Sequence, residues 1–364
     1  SMPCGGGDIG LNVWVEDGDI LCYLQRSGSL SENGEYLKLG RVRVRLDPNP
    51  FENAESFRQE LKLRESTVEI EGHRTEAGAR LGAVARIWVA VDEPIVHIEV
   101  DADTPVKVSA FYEGWRNQPV ELADGSGGPR FGCFSLEGYP GKVIRTGDHV
   151  AHTPEGVLFY HRNPDDKLIP DALIRQQGLE AYADEILDDN THRTFGGLLQ
   201  GEGFIADGEG EGTYVDTPYR AWKLKSARAG TKHRLQVVTH IAQAPELDDW
   251  TSALLARRRN AASSRSEARE HMLVWWDAFW GRSWIMLEPE TEDRDSPVWR
   301  AGRNYQLFRY QLGCNAHGEY PSKFNGGSLT YDASLVDQRL RNGPDWRKWG
   351  GAVHTAQNQR LVYW

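Results

Sequence analysis

At 364 residues the chain is long enough for about two domains of ordinary size, each able to bury a core. Its net charge of -11 at pH 7 would repel a phosphate backbone, and no Lys/Arg run interleaved with aromatic residues offsets this, so we expect no nucleic-acid partner. Hydrophobic residues make up 39% of the sequence, but no apolar run approaches the ~20 residues that span a bilayer, which argues against membrane insertion.

The cysteines leave the redox compartment open, and the sequence leaves the oligomeric state open. Cys4, Cys22, Cys133 and Cys314 lie far apart without CxxC or Cys/His spacing, so we expect no metal and no cofactor, and disulfide pairing cannot be read from them. Residues 1–3 open the chain without a charged-then-apolar leader, and it ends inside an amphipathic run. We expect both ends to be cut and the intact protein to be extracellular or periplasmic.

Short alternating segments broken by Gly, Asp, Asn and Pro fill residues 9–245, a pattern typical of β-strands. Asp17-Gly18 between two such segments predicts a tight hairpin turn. Parallel strands would need helical crossovers that this region lacks, so residues 1–245 are predicted to form an antiparallel β-super-sandwich. The predicted strands are 9–15, 20–24, 39–46, 66–71, 83–91, 95–100, 106–112, 156–161 and 235–242.

After Pro245 the composition predicts helices. Residues 246–278 are rich in Ala, Arg, Glu and Leu and contain no Pro or Gly, so 246–290 is predicted to be a helical linker. Ser296 and Pro297 then predict the N-cap and first position of a helix that runs to about Asn315. Its apolar face would carry Trp299, Leu307, Tyr310 and Cys314. A Gly-rich loop over 318–351 and a second helix from near Val353 follow.

Two polar clusters within the sandwich region favour structural roles. Residues 31–34 (SENG) precede a predicted strand, and a polar turn accounts for them better than a functional site does. Residues 113–116 (EGWR) end a strand with a Trp beside a charge pair. We interpret this second cluster as packing at a domain interface rather than as a sugar contact.

Two later clusters predict a carbohydrate site. Residues 323–325 combine a cation, a ring and an amide before two glycines, although a solvated loop is the alternative. His354 and Asn358 share one helix face, although helix capping and a structural histidine are alternatives. Sugars suit this mixture because hydroxyl groups bind fixed polar partners while C–H faces stack on rings. The predicted substrate contacts are Lys323, Phe324, Asn325, Trp346, Arg347, Trp349, His354, Gln357 and Asn358.

Common catalytic signatures are missing from the sequence. It contains no GxSxG, HExxH, P-loop or GxGxxG motif in the required setting, which argues against those nucleophile, zinc and nucleotide sites. Acid/base chemistry by carboxylates remains, but 53 Asp and Glu residues offer no basis for choosing a pair.

Seven segments together resemble one family of large bacterial proteins related to the six-hairpin glycoside hydrolases. They are residues 2–14 (MPCGGGDIGLNVW), 31–33 (SEN), 37–40 (LKLG), 305–310 (YQLFRY), 323–326 (KFNG), 346–350 (WRKWG) and 357–361 (QNQRL). The resemblance implies an N-terminal super-sandwich followed, over residues 291–364, by the first helical hairpin of an (α/α)6 barrel. The chain would then be a fragment of a longer protein.

The same architecture resembles inverting α-L-fucosidases, whose second barrel helix carries Asn-x-Asn ahead of Tyr-Trp. Tyr363-Trp364 and Asn358 match this pattern, but Ala356 replaces the first Asn, so neither the water-activating arrangement nor fucose specificity follows. The resemblance implies a glycoside hydrolase acting on oligo- or polysaccharide, with its acid/base pair beyond the end of this chain. The chain alone is then expected to be inactive. A polysaccharide lyase of the sandwich-plus-toroid type and a non-catalytic glycan-binding module are the alternatives.

Overall fold

The computed structural model describes residues 1–123, 136, 138–188, 190–263, 265–320, 328–329, 331–335, 337–339 and 343–346, with backbone only for 261–263. The strands are β1 (Met2–Gly6), β2 (Ile9–Glu16), β3 (Asp19–Arg26), β4 (Gly40–Asp47), β5 (Ser56–Lys62), β6 (Thr67–Glu76), β7 (Ala79–Val89), β8 (Ile95–Gly114), β9 (Val120–Glu121), β10 (Ile144–Arg145), β11 (His149–Thr153), β12 (Gly156–Arg162), β13 (Arg193–Gly201), β14 (Phe204–Tyr214), β15 (Thr217–Ser226) and β16 (Gly230–Gln243). The α-helices are α1 (Leu168–Gln177), α2 (Leu247–Ser263), α3 (Arg265–Arg282) and α4 (Pro297–Gly313).

Strand β8 joins two antiparallel layers. Its first half pairs with β7 and β16, and its second half pairs with β4 and β15. The first layer runs β1-β2-β3-β4-β8-β15-β14 and the second runs β5-β6-β7-β8-β16-β13-β12-β11. Pro105 lies where β8 passes from one layer to the other, and its missing N–H suits a gap in the ladder. A large, sandwich-like antiparallel sheet is therefore confirmed, although 95–100 and 106–112 are parts of one strand.

The core lies between the layers. One cluster of buried side chains joins Leu11 and Val44 of the first layer to Ile87, Val96 and Leu199 of the second. Each such side chain is worth about 1.5–3 kcal/mol when fully buried, which is why the alternating pattern determines which face of each strand turns inward.

The predicted hairpin turn at Asp17-Gly18 is confirmed. Strands β2 and β3 pair antiparallel up to Glu16 opposite Asp19, and Asp17 and Gly18 have φ values of 50° and 80°. Positive φ at both central positions is what a two-residue turn needs to match the twist of the strands.

Two elements differ from the sequence-based expectation. Strand β1 contains Cys4-Gly5-Gly6, a segment too small and flexible to be predicted as a strand. A Cβ on Gly5 would lie 2.6 Å from the carbonyl oxygen of Ile9 and 2.8 Å from the Cβ of Cys314, the residue after α4, so these close approaches require glycine there. Helix α1 interrupts a region expected to be all strand. Its Ala172 packs against Leu122 and Val143, and this tertiary burial stabilises a short helix.

The helices that follow the sandwich region pack on it at two places. Trp250 and Leu254 of α2 join Leu198 and Val238 of the second layer in one buried cluster. Met272 and Trp276 of α3 join Trp88 of β7, Tyr310 of α4 and Cys314, which follows α4 directly. Trp299 and Leu307 are only half-buried. The division at residues 245 and 290 stays a prediction, as does the barrel hairpin, because 347–364 lie outside the described residues.

The cysteines that the structure describes are buried. Cys4, Cys22 and Cys314 are buried free thiols, and burial is the main cause that raises the pKa of Cys4 and Cys22 to about 12. Such thiols are poor nucleophiles at neutral pH.

Within the described ranges, no helix has both the length and the apolar character needed to cross a membrane.

Replacing Ser296 with Ala should lower the free energy of unfolding by about 1 kcal/mol. Ser296 caps α4 as the sequence predicts, since its Oγ accepts a hydrogen bond from the Trp299 N–H at 3.4 Å. Denaturant unfolding monitored by circular dichroism measures the loss. Asp at position 296 is the matched control, because it also caps, and equal losses for both variants would contradict a capping role.

Candidate functional site

The segment after α4 returns to the outer face of the first layer. The Ser328 Oγ lies 3.1 Å from the Tyr36 hydroxyl. A Cβ on Gly10 of β2 would lie 2.6 Å from the Ser328 Cβ. The Tyr23 hydroxyl of β3 donates to Asp332 Oδ2 at 2.6 Å. These contacts join sequence positions about three hundred residues apart, so only the tertiary fold brings them together.

Asp345 anchors the far end of that segment. Its Oδ2 accepts hydrogen bonds from Trp115 Nε1 at 2.6 Å and from Arg116 Nη1 at 2.7 Å, and its Oδ1 accepts from the Lys38 N–H at 2.8 Å. The Asp345 side chain is 9% exposed. Burial alone would raise its pKa, but the charges of Arg116, Arg145 and Lys38 hold the pKa well below its usual range.

Arg116 extends this cluster into a buried polar network. Its Nη2 lies 2.7 Å from Asp148 Oδ2. Asp148 Oδ1 contacts His161 Nδ1 at 2.9 Å, and His161 Nε2 contacts Glu32 Oε2 at 2.9 Å. Glu32 Oε1 also accepts a hydrogen bond from the Thr146 N–H at 2.5 Å. The chain of contacts links the turn at 31–34 to residue 345.

The network keeps His161 charged. Burial alone would lower the pKa of His161, but hydrogen bonds and charges from Asp148 and Glu32 outweigh it and raise the pKa to about 9. The pKa of Asp148 is lowered, because burial is outweighed by the Arg116 charge and by His161. The four side chains of the network are nearly inaccessible to solvent, namely Glu32, His161, Asp148 and Arg116. The network therefore has no surface for a ligand and serves to hold segments of the chain together.

An open cleft of about 480 Å³ lies beside this anchored segment. Four aromatic residues line it, namely Trp14, Tyr23, Tyr214 and Tyr331, and the polar lining includes Asn12, Glu16 and Asp332. This volume is typical of small-molecule sites, which also combine rings with a few convergent polar groups.

Three of the four rings of the cleft, those of Trp14, Tyr23 and Tyr214, are held by one another and by Glu16. The Trp14 ring centroid lies 5.2 Å from that of Tyr23 and 5.9 Å from that of Tyr214. Glu16 Oε2 accepts from Trp14 Nε1 at 3.1 Å and from the Tyr214 hydroxyl at 2.9 Å. The aromatic wall is therefore oriented before any ligand arrives, which lowers the entropy cost of binding.

Asp332 is oriented by a buried chain of donors. Arg41 Nε donates to Glu113 Oε2 at 2.5 Å, while Arg41 Nη1 donates to the Tyr23 hydroxyl at 3.3 Å and Tyr23 donates in turn to Asp332 Oδ2. Asp332 is 2% exposed, and its Oδ1 has no hydrogen-bond partner among the described residues. Burial is the main cause that raises the pKa of Asp332.

Of the predicted substrate contacts, the structure describes only Trp346. It follows Asp345, and its Nε1 is buried without a hydrogen-bond partner in the described part of the chain. Trp115 links this position to the cleft, since it donates to Asp345 and its ring lies 5.9 Å from that of Tyr23. The other predicted contacts lie outside the described residues and stay predictions: Lys323, Phe324, Asn325, Arg347, Trp349, His354, Gln357 and Asn358.

The sequence analysis passed over the residues that line the cleft. A signal was present in β2, where Leu11 and Val13 face the core while Asn12, Trp14 and Glu16 alternate with them on the outer face. Only the fold places Tyr214 and Asp332 beside these outer-face residues of β2.

Within the described ranges, no group of three or more His, Cys, Asp or Glu side chains could hold a metal ion.

The fold and the cleft define an antiparallel β-sandwich protein with an aromatic-lined cleft on one outer face. The chain belongs to the family described as Domain of unknown function (DUF5703), whose N-terminal model matches residues 1–285. No curated protein sequence matches the chain.

Two solved structures are similar to the chain at low sequence identity. "Putative kojibiose phosphorylase from human microbiome" has 10% identity and a TM-score of 0.46, and the match covers 90% of this chain and 41% of that one. A bacterial glucoamylase complexed with acarbose has 8% identity and a TM-score of 0.40, covering 84% and 38%. The chain thus spans well under half the length of either protein.

Proposed function

We propose that this chain binds carbohydrate in the cleft formed by Trp14, Tyr23, Tyr214 and Tyr331. The observation that carries the proposal is the meeting of these four rings with Asn12, Glu16 and Asp332 in one cleft of about 480 Å³. Sugar rings offer C–H faces that pack on aromatic side chains and hydroxyl edges that need polar partners.

The polar groups of the cleft match the needs of hydroxyl groups. Asp332 carries a carboxylate, and Asn12 carries an amide that can both donate and accept. Tyr331 is 49% exposed, so its ring is available to a ligand entering from solvent. A purely apolar ligand would leave these polar groups unpaired, at a cost of about 1–3 kcal/mol for each.

For the whole protein we propose glycoside hydrolysis of an oligo- or polysaccharide by paired carboxylic acids. The family resemblance set out above supports this, and one carboxylic acid would protonate the leaving oxygen while a second carboxylate activates water or attacks the sugar. Assays of the full-length protein on aryl glycosides and on plant and algal oligosaccharides test it. Release of an unsaturated, ultraviolet-absorbing uronate would instead support the lyase alternative, and binding without turnover would support a glycan-binding module.

Replacing Trp14 with Ala should weaken oligosaccharide binding about tenfold or more, since buried aromatic contacts are typical binding hot spots. Isothermal titration calorimetry with oligosaccharides that bind the unaltered chain measures the change. Trp284→Ala is the matched control, because Trp284 is 63% exposed and does not line the cleft. If Trp14→Ala leaves the affinity unchanged, or both variants lose it equally, the cleft is not the binding site.

A further inference from the structure

A second pocket, which the proposed function does not use, lies on the outer face of the second layer. Its volume is about 290 Å³, at the lower end of the range for ligand pockets, so it suits a small ligand. We call it the arginine pocket. Its polar lining includes Arg234, Arg258, Arg265, Gln200, Gln236 and Glu202.

Strand alternation explains the polar floor of the arginine pocket. Leu199 of β13 and Val237 of β16 belong to the core between the layers. Successive side chains of a strand point to opposite faces, so Gln200 and Gln236 lie on the outer face of the second layer. The two glutamines are directly opposite each other in the antiparallel register, on the face that α2 covers.

Helix α2 places a guanidinium group over this floor. Its buried residues Trp250 and Leu254 pack on the second layer. Residues four apart share a helix face, so Arg258 continues the same stripe one turn further along. Arg258 Nε donates to Gln200 Oε1 at 2.6 Å. An arginine therefore lies on the sheet-facing stripe of α2, where an apolar residue would be expected.

A row of hydrogen bonds fixes the orientation of both glutamines. Arg258 can only donate, so Gln200 presents Oε1 to it and donates through Nε2 to Gln236 Oε1 at 3.1 Å. Gln236 Nε2 lies 3.4 Å from His97 Nδ1. Burial is the main cause that lowers the pKa of His97 to about 3, so His97 is neutral at pH 7 and can accept this bond. The row therefore orients Arg258 before any ligand binds.

Two of the three arginines are paired with carboxylates. Arg234 Nη2 lies 2.9 Å from Asp101 Oδ1, and Arg234 Nε lies 4.0 Å from Glu99 Oε2. Arg265 Nη2 lies 2.7 Å from Glu202 Oε1. The Glu202 side chain is 68% exposed, so water weakens this pair and an anion can compete with Glu202 for Arg265.

Arg258 is the arginine of this pocket that has no carboxylate partner in the described residues. Its hydrogen-bond partner there is the uncharged Gln200. A guanidinium group carries five N–H donors, and Gln200 uses one of them. An oxyanion that accepts two parallel hydrogen bonds matches the geometry of a guanidinium group and would supply the missing negative charge.

We propose that the arginine pocket binds a tetrahedral oxyanion, a phosphate or sulfate group that is either free or carried by a sugar. Arg258 binds two of its oxygens, and Arg234 and Arg265 add positive potential beside it. Three guanidinium groups around one pocket suit the four oxygens of such a group better than the two of a carboxylate. The arginine pocket and the aromatic cleft share no lining residue, so this inference does not depend on the proposed function.

Isothermal titration calorimetry at pH 7 and constant ionic strength tests the pocket with inorganic phosphate, inorganic sulfate and acetate. At least one of the first two ions should bind about tenfold or more tightly than acetate. Arg258→Gln should weaken that binding about tenfold or more, whereas Arg258→Lys, which keeps the charge without the paired donors, should weaken it less. Arg259→Gln is the matched control, because Arg259 is exposed at the next position of α2 and does not line the pocket.

A second variant blocks the site while keeping the arginine. Gln200→Glu has nearly the same shape and gives Arg258 a carboxylate partner, so it should also weaken binding of the ion about tenfold or more. Circular dichroism checks that each variant is folded. Tighter binding of glucose 6-phosphate than of inorganic phosphate would identify a group carried by a sugar, and the reverse order would identify a free ion.

Trp14→Ala should leave the affinity for the ion unchanged, which separates failure of the cleft from failure of the arginine pocket. The proposal is overturned if neither phosphate nor sulfate binds more tightly than acetate. It is also overturned if Arg258→Gln leaves the binding unchanged, or if Arg259→Gln weakens it by the same factor.

Discussion

Replacing Arg116 with Ala is expected to lower the free energy of unfolding by about 3–5 kcal/mol, the usual effect of breaking a buried ion pair. Arg116 is 3% exposed at its side chain and contacts Asp148 and Asp345, whose side chains are 6% and 9% exposed. Its removal leaves both carboxylates nearly buried and short of a cation, and it frees the carbonyl oxygen of Lys38 from its guanidinium partner. Denaturant unfolding followed by circular dichroism measures the loss.

An exposed ion pair supplies the control for the Arg116 variant. Arg80 contacts Asp103 at 3.3 Å, with side chains 62% and 53% exposed. Arg80→Ala should therefore cost less than about 1 kcal/mol, since water screens such pairs. If the two arginine variants lose similar amounts of stability, Arg116 does not anchor residues 343–346 in the way that its contacts indicate.

The free energy of unfolding is expected to fall by about 3 kcal/mol as the pH rises from about 6.5 to about 9. The cause is His161, whose pKa is raised from 6.5 to about 9 by Asp148 and Glu32 against the opposing effect of burial. A group with a raised folded-state pKa stabilises fully below its unfolded pKa, and this contribution is lost as the pH passes through the folded value. Urea unfolding measured across this range of pH tests the expectation.

At acid pH, the free energy of unfolding depends on pH with the opposite sign. The pKa values of Asp148 and Glu32 are lowered, because their contacts with Arg116, His161 and Thr146 outweigh burial. Their contribution is present above the unfolded carboxyl pKa and is lost as the pH falls through the folded values. His161→Gln should flatten the alkaline decline, whereas His149→Gln, at an exposed position, should leave it intact. An alkaline decline that persists unchanged in His161→Gln would contradict this assignment.

The sequence predicted most of the secondary structure that depends on local residues and not on tertiary contacts. Asp17-Gly18 carried a sufficient signal for its turn, and Ser296-Pro297 for the start of α4, because both depend on backbone conformations that few residues adopt. Strand β1 and helix α1 depend on neighbours distant in sequence, Cys314 for the one and Val143 for the other. Their local patterns were therefore too weak to reveal them.

The candidate site residues also include some that local sequence indicated and others that only the fold brings together. Residues 31–34 and 113–116 were interpreted as a polar turn and as interface packing, and their side chains Glu32, Trp115 and Arg116 do form buried contacts. The predicted sugar contacts in 323–325 and 347–358 lie outside the described residues. The cleft instead draws Trp14, Tyr214 and Asp332 from three separate parts of the chain.

By itself, the sequence determined that the protein is rich in antiparallel strands and helical towards its end, because period-two alternation and helix-start residues act over a few positions. Only the tertiary structure decided that β8 serves both layers, that Asp345 pairs with Arg116, and that four aromatic rings line one cleft. Such pairings depend on chain closure over tens to hundreds of residues, and in a chain with 53 acidic residues and 42 Lys or Arg no local pattern selects one partner among so many.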